Sequence, residues 1–132
     1  MAGTTANLSN DPVYGDMGNE GIVIQKVVDT VPGGRTLDTT GFAPAFIPQG
    51  HLVIEETSTG VLKPMPITGT AYAALPSGHT YKYVVMAGIP TAKPFAGLLR
   101  IGTVNWKAMK YDATSILSAV KTAIPSIYFT KD

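Results

Sequence analysis

The sequence predicts a mainly β domain with one helix packed near its C-terminal end, an α+β arrangement drawn as a small β-sandwich or barrel with that helix plugged against it. Three observations lead there. Short runs rich in β-branched and aromatic residues recur along the chain, 14 glycines and 10 prolines punctuate them, and one stretch after Asp112 carries apolar residues at helical spacing. A length of 132 residues suits one domain that can build a single core without metal or disulfide staples. The expected division is an extended N-terminal arm over residues 1–21 and one β-rich domain over residues 22–132.

The arm holds few apolar groups and many Gly, Thr, Asn and Asp, too little burial to offset the entropy of ordering it alone. Leu8, Val13 and Tyr14 are its sizeable apolar anchors, so a partner is expected to hold it. Residues 22–28, Ile-Val-Ile-Gln-Lys-Val-Val, read as the first strand. Val31-Pro32-Gly33-Gly34-Arg35 reads as a turn, since proline fixes its own φ and glycine tolerates a positive one. The Gly33-Gly34 pair does not make a phosphate loop, because neither a lysine at the right spacing nor a helix start follows it. Phe46-Ile47 lead into the tight turn Pro48-Gln49-Gly50 and a short strand over residues 51–56. Thr57-Ser58-Thr59-Gly60 then reverses the chain into residues 61–67, a hairpin whose prolines mark a sheet edge. A further strand is expected over residues 81–87.

The last third is the most ordered in pattern. Residues 95–106 form one branched, apolar run punctuated by Gly97 and Gly102, as expected of a strand inside a sheet with close backbone approaches. Asp112 offers a side-chain oxygen to cap a helix, along which Ile116, Leu117, Val120, Ala123 and Ile124 share one face until Pro125 stops it. Residues 126–130 read as the final strand.

Composition removes several function classes. With no cysteine there is no disulfide framework, zinc ribbon or thiol nucleophile. A net charge of +1 with 14% charged residues gives no basic field for phosphates, so nucleic acid is not an expected partner. No run approaches the roughly 20 apolar residues that span a bilayer, and the first residues lack the basic start and apolar segment of a secretory signal. Neither a membrane nor export by that route is expected. So low a charge fraction suggests either a surface covered by partners or a compact β protein whose turns consume Gly and Pro.

No residue pattern supports catalysis, a cofactor or a metal. His51 and His79 have no carboxylate at a metal-ligand spacing and read as surface or turn histidines. Glu55 and Glu56 point to opposite strand faces and, with Asp112, read as solvated charges. Ser58, Ser77 and Ser115 lack the turn that exposes a nucleophile. Trp106, with Tyr111 and Tyr128, suits either core packing beside the helix or a stacking platform for a sugar or partner. The platform is the basis of a second functional reading, a small carbohydrate- or ligand-binding β module.

The order Ile47-Pro48-Gln49-Gly50, strand, Thr59-Gly60 hairpin, Lys63-Pro64-Met65, then Gly97 to Gly102-Thr103-Val104-Asn105, helix, and Ala123-Ile124-Pro125-Ser126-Ile127-Tyr128-Phe129 resembles the head decoration proteins of tailed bacteriophages, also called auxiliary capsid or head-fibre proteins. Trp106-Lys107 and the stretch over residues 69–80 depart from that family's pattern. The resemblance implies a compact, β-tadpole-like body, often a homotrimer, standing on the outer surface of a virion capsid. It implies binding to the major capsid (coat) protein, cementing the shell without catalysis, with the arm reaching to the coat or a neighbour as an anchor. Leu8, Val13, Tyr14 and Trp106 are then the candidate partner-binding residues.

Overall fold

The computed structural model describes residues 20–131, with side chains from Ile22 onward, so Leu8, Val13 and Tyr14 lie outside the described residues. In chain order the elements are α1 (Glu20–Val23), β1 (Ile24–Thr30), β2 (Arg35–Thr36), β3 (Phe46–Ile47), β4 (Leu52–Glu56), β5 (Leu62–Pro64), β6 (Ile67–Thr68), β7 (Ala71–Tyr72), β8 (His79–Val85), β9 (Ile89–Pro90), β10 (Phe95–Ala96), β11 (Leu98–Asn105), a 3-10 turn (Trp106–Ala108), α2 (Leu117–Ala123) and β12 (Ile127–Thr130). The protein is mainly β, with its longer helix near the C-terminal end, as the sequence predicts.

One six-stranded sheet organises it, in the order β1-β11-β8-β4-β5, with β12 lying parallel to β11. The other neighbours in it are antiparallel. Parallel strands need a crossover, and the 3-10 turn with α2 supplies it. β5, which ends on Pro64, lies at the sheet edge where the prolines predict it.

Alternation along the central strands gives the sheet two buried faces. Leu52, Ile54, Val84 and Leu99 point to one core with Val104, Ile127 and Phe129, where Ile116, Val120 and Ile124 pack from the helix side. Val53, Val85 and Leu98 point to the opposite core, closed by Val31, Leu37, Ile47, Leu62 and Ala96 from short ribbons and turns. The ribbons β2–β10 and β3–β9 thus take the place of a second full sheet.

Several boundaries differ from the sequence reading. The strand expected over residues 81–87 runs over His79–Val85, and the stretch expected over residues 61–67 is the strand Leu62–Pro64 followed by a separate one from Ile67. Ile22 and Val23 belong to α1, and the strand starts at Ile24, because Val23 is drawn into the core beside Met109. The apolar run over residues 95–106 is two strands: Phe95 and Ala96 pair with Thr36 and Arg35, whereas Leu98 onward joins the main sheet. Trp106 begins the 3-10 turn, where the Asn105 side-chain oxygen accepts from the Lys107 N–H at 3.1 Å.

Asp112 is not the helix cap. Its backbone is tied to the β6–β7 hairpin, donating to the Thr70 carbonyl at 2.9 Å and accepting from the Tyr72 N–H at 3.0 Å. Its carboxylate accepts from the Thr114 N–H and hydroxyl. The helix starts five residues later at Leu117, with Ile116 at the cap position and no side-chain cap. Burial holds it instead. Ile116, Val120 and Ile124 are each worth about 1.5–3 kcal/mol when fully buried, against about 1 kcal/mol for a cap.

Gly102 shows the close approach expected of it. A side-chain carbon there would lie 2.2 Å from the Lys26 carbonyl oxygen and 3.1 Å from a Leu99 methyl, so β1 can lie on β11 only because residue 102 has none.

Candidate functional site

The polar chemistry on the surface is largely spent on local structure. Hydrogen bonds from the Thr114 hydroxyl and N–H hold the Asp112 carboxyl below its usual range. The Thr59 hydroxyl, followed by the Lys63 ammonium, does the same for Glu56, with Lys63 at 3.4 Å and His79 Nε2 at 3.8 Å from its carboxylate. Glu55 meets Lys82 at 3.9 Å. Among the described residues, no three His, Cys, Asp or Glu side chains are grouped to hold a metal, and no helix is long and apolar enough to cross a membrane.

His51 departs from the reading of it as a surface histidine. It is 1% exposed. The turn Pro48-Gln49-Gly50 turns the chain inward at residue 51, where the His51 ring meets Phe42, Tyr72 and Tyr111 edge-on at centroid distances of 5.3, 5.2 and 5.6 Å. Nε2 sits 2.9 Å from the Met65 carbonyl oxygen, which makes it the N–H of the neutral ring, and Nδ1 is buried without a hydrogen-bond partner. Burial pulls its pKa down from 6.5 to about 4, against the opposing effect of the Met65 carbonyl. Burial also pushes the Tyr72 and Tyr111 phenols up, so the whole box is neutral at pH 7.

The Tyr72 hydroxyl oxygen accepts from the Leu52 N–H at 3.1 Å, where β4 begins. Tyr72→Phe leaves that buried N–H unpaired. The expected loss is about 1–3 kcal/mol of stability, read from the shift of the urea midpoint.

The three aromatics considered for a platform have separate fates. Tyr111 is buried against His51 and Tyr72. Tyr128 stands outward from β12 between buried Ile127 and Phe129, 69% exposed. Trp106 is half-buried against the core, with the Lys107 ammonium 5.4 Å from its ring. Its 3-10 turn packs against α1, so Trp106 lies in the turn beside the point where residues 1–19 join the domain.

A cleft of about 220 Å³ lies beside β5, lined by Phe42, Ile54, Lys63, three prolines and His79. It is smaller than the roughly 300–1,000 Å³ of typical small-molecule sites, whereas three more open depressions, beside Leu62 and Tyr83, beside Gly34 and Phe95, and beside Phe42 and Ile67, measure about 480, 500 and 450 Å³. Most of the exposed large apolar side chains belong to α1, β1, β11 and β12 without sharing one face: Val27 lies opposite Gly102, and Tyr128 opposite Thr103, the next residue of β11. Ile22, Val27 and Val28 of α1 and β1, with Ile101 of β11 and Tyr128 of β12, make five of the seven found among the described residues. Val61 and Phe95 are the other two. The sequence reading of residues 22–28 as the first strand does not say which of its side chains are exposed.

The chain matches no family model, no curated protein and no solved structure.

Proposed function

We propose that this chain is a structural virion protein that decorates the outer surface of a bacteriophage capsid and stabilises the shell by binding the major coat protein. In this reading it assembles with copies of itself, as a homotrimer in the family it resembles, and residues 1–21 with Leu8, Val13 and Tyr14 are its anchor. Trp106, at the root of that segment, contributes to the contact. The protein catalyses nothing and needs no cofactor, membrane or nucleic acid.

The observation that supports the reading is the fold. A compact β body with one packed C-terminal helix is what the resemblance implies, and it is what the residues build. A shell protein works through repetition: many weak contacts on one symmetric lattice gain strength from effective concentration. The sparse charge, 14% of residues, suits a surface covered by coat and neighbours.

The test is decoration itself. Capsids built from the coat protein encoded alongside this chain are incubated with the full-length chain or with one lacking residues 1–20, then imaged by electron cryomicroscopy. The full-length chain is expected to form a regular lattice on the shell, and the shortened one to be lost on washing. Absence of both from the capsid sinks the proposal.

A further inference from the structure

We propose that the open depression at the end of the β2–β10 ribbon binds a carboxylate carried on a small ring, with Arg35 holding the carboxylate and Phe95 meeting the ring. The site goes beyond the capsid reading and does not depend on it.

The depression measures about 500 Å³ and is bordered by residues 33–36 and 95–97. Its size falls within the roughly 300–1,000 Å³ of small-molecule sites. Arg35 is its one charged residue, and Phe95, 71% exposed, its one large apolar side chain. Gly33, Gly34 and Gly97 make up much of the rest, so a ligand can come close to the backbone there.

The turn before β2 mounts the arginine. Arg35 lies opposite Ala96 in the ribbon, yet its side chain does not follow the buried Ala96 into the core. It stays exposed and bends back along the turn, where Nη1 donates to the Pro32 carbonyl at 3.0 Å and the Gly34 carbonyl at 2.6 Å. Gly33 and Gly34 have φ of 75° and 66°, and this left-handed pair turns the chain tightly enough for carbonyls two residues apart to meet one nitrogen. The glycines that make no phosphate loop thus make an arginine mount.

A guanidinium has five N–H donors, and these bonds occupy the pair on Nη1. Nε and Nη2 have no acceptor among the described residues. That edge is the fork that matches a carboxylate. The chain's other arginine shows the same edge in use: Arg100 Nε and Nη2 both donate to the Asp29 carboxylate. Asp38 and Glu55 border an adjoining depression that shares Arg35. Both are engaged elsewhere, Asp38 with the Thr40 N–H and hydroxyl and Glu55 with Lys82, and neither pairs with Arg35. The fork is therefore left for an acid from outside the chain, and a guanidinium already held in place gives up little freedom on binding it. A bare inorganic anion would leave Phe95 unused, whereas a ring-borne carboxylate uses both groups.

NMR titration of the isotope-labelled full-length chain tests the site. Sodium benzoate and sodium glucuronate are the ring-borne carboxylates, benzyl alcohol and glucose their neutral counterparts, and inorganic phosphate the bare anion. With two arginines in the chain, the Nε–H signal of Arg35 can be followed beside that of Arg100, whose fork is filled. At least one carboxylate is expected to shift the Arg35 signal and the amides of residues 33, 34 and 97 saturably, leaving Arg100 in place. A shift with benzoate alone assigns an aromatic acid, and with glucuronate alone a sugar acid. Arg35→Lys keeps the charge but not the fork and should weaken binding about tenfold. Phe95→Ala, at an exposed position, should weaken it about fivefold. Unchanged melts will show that both variants fold. An Arg35 signal that neither carboxylate moves, equal binding of phosphate or the neutral counterparts, or full binding by either variant overturns the site. The free chain alone is titrated, so the outcome is independent of whether it coats capsids.

Discussion

Between pH 6.5 and 4 the protein is expected to lose about 3 kcal/mol of stability, and His51 is the reason. Its pKa falls from 6.5 in the unfolded chain to about 4 in the fold, and each pH unit of difference corresponds to about 1.4 kcal/mol. The unfolded chain binds the proton first as pH drops. Stability is therefore whole above about 6.5, declines through the window and is fully forfeited near 4. No carboxylate faces the ring to welcome an imidazolium; its neighbours are Phe42, Tyr72, Tyr111 and the Met65 carbonyl. Urea denaturation at intervals of half a pH unit will read the slope. His51→Gln keeps a donor for Met65 and should flatten the profile above pH 4.5, at some cost in stability at pH 7. An equally steep profile in that variant would show that another group titrates. The carboxylates of Asp38, Glu56 and Asp112 are held below their ordinary values of 3.8, 4.5 and 3.8, so their contributions are lost only as pH falls from about those values, at the acid end of the His51 window and beyond.

A single methyl group at residue 102 is expected to loosen the first strand. Gly102→Ala puts a carbon where the Lys26 carbonyl oxygen stands 2.2 Å away, and a backbone oxygen held in a ladder cannot rotate aside. β1 must move, at about 3 kcal/mol. Gly60→Ala is the comparison. Residue 60 has a φ of 76° but open space around it, so only the backbone conformation is penalised, by about 1 kcal/mol. Hydrogen exchange will separate the two: Gly102→Ala should raise exchange along β1, and Gly60→Ala only around its hairpin. Equal protection of β1 in the two variants would contradict the close approach.

Much of the fold was legible because its signals are local. The 57–60 turn, the proline-marked edge and the Pro125 stop each follow from a few neighbouring residues and are present; of the expected stripe, Ile116, Val120 and Ile124 are buried, Leu117 is partly so and Ala123 is exposed. What escaped depends on residues distant in sequence. Asp112 carries the right side chain for a cap, but the hairpin over residues 67–72 claims its backbone. His51 follows a turn and so looked like a surface group; its burial requires Phe42, Tyr72 and Tyr111 to converge from three other segments. The exposure of Val27 and Val28 likewise depends on the position of β1 at a sheet edge, which a run of branched residues does not announce. Of the candidate partner-binding residues, Trp106 could be placed, at the root of the N-terminal segment.

The central place of β11 also bears on biosynthesis. This strand pairs backward with β1, as in Thr30 with Leu99, and forward with β12, as in Asn105 with Thr130. The first strand must wait for some seventy further residues to be translated before it meets its neighbour, and the sheet stays incomplete until residue 130 has cleared the ribosome. During that interval the backbone of β1 has no native partner strand. The nascent chain is therefore exposed to mispairing with other unfinished copies until β11 is made.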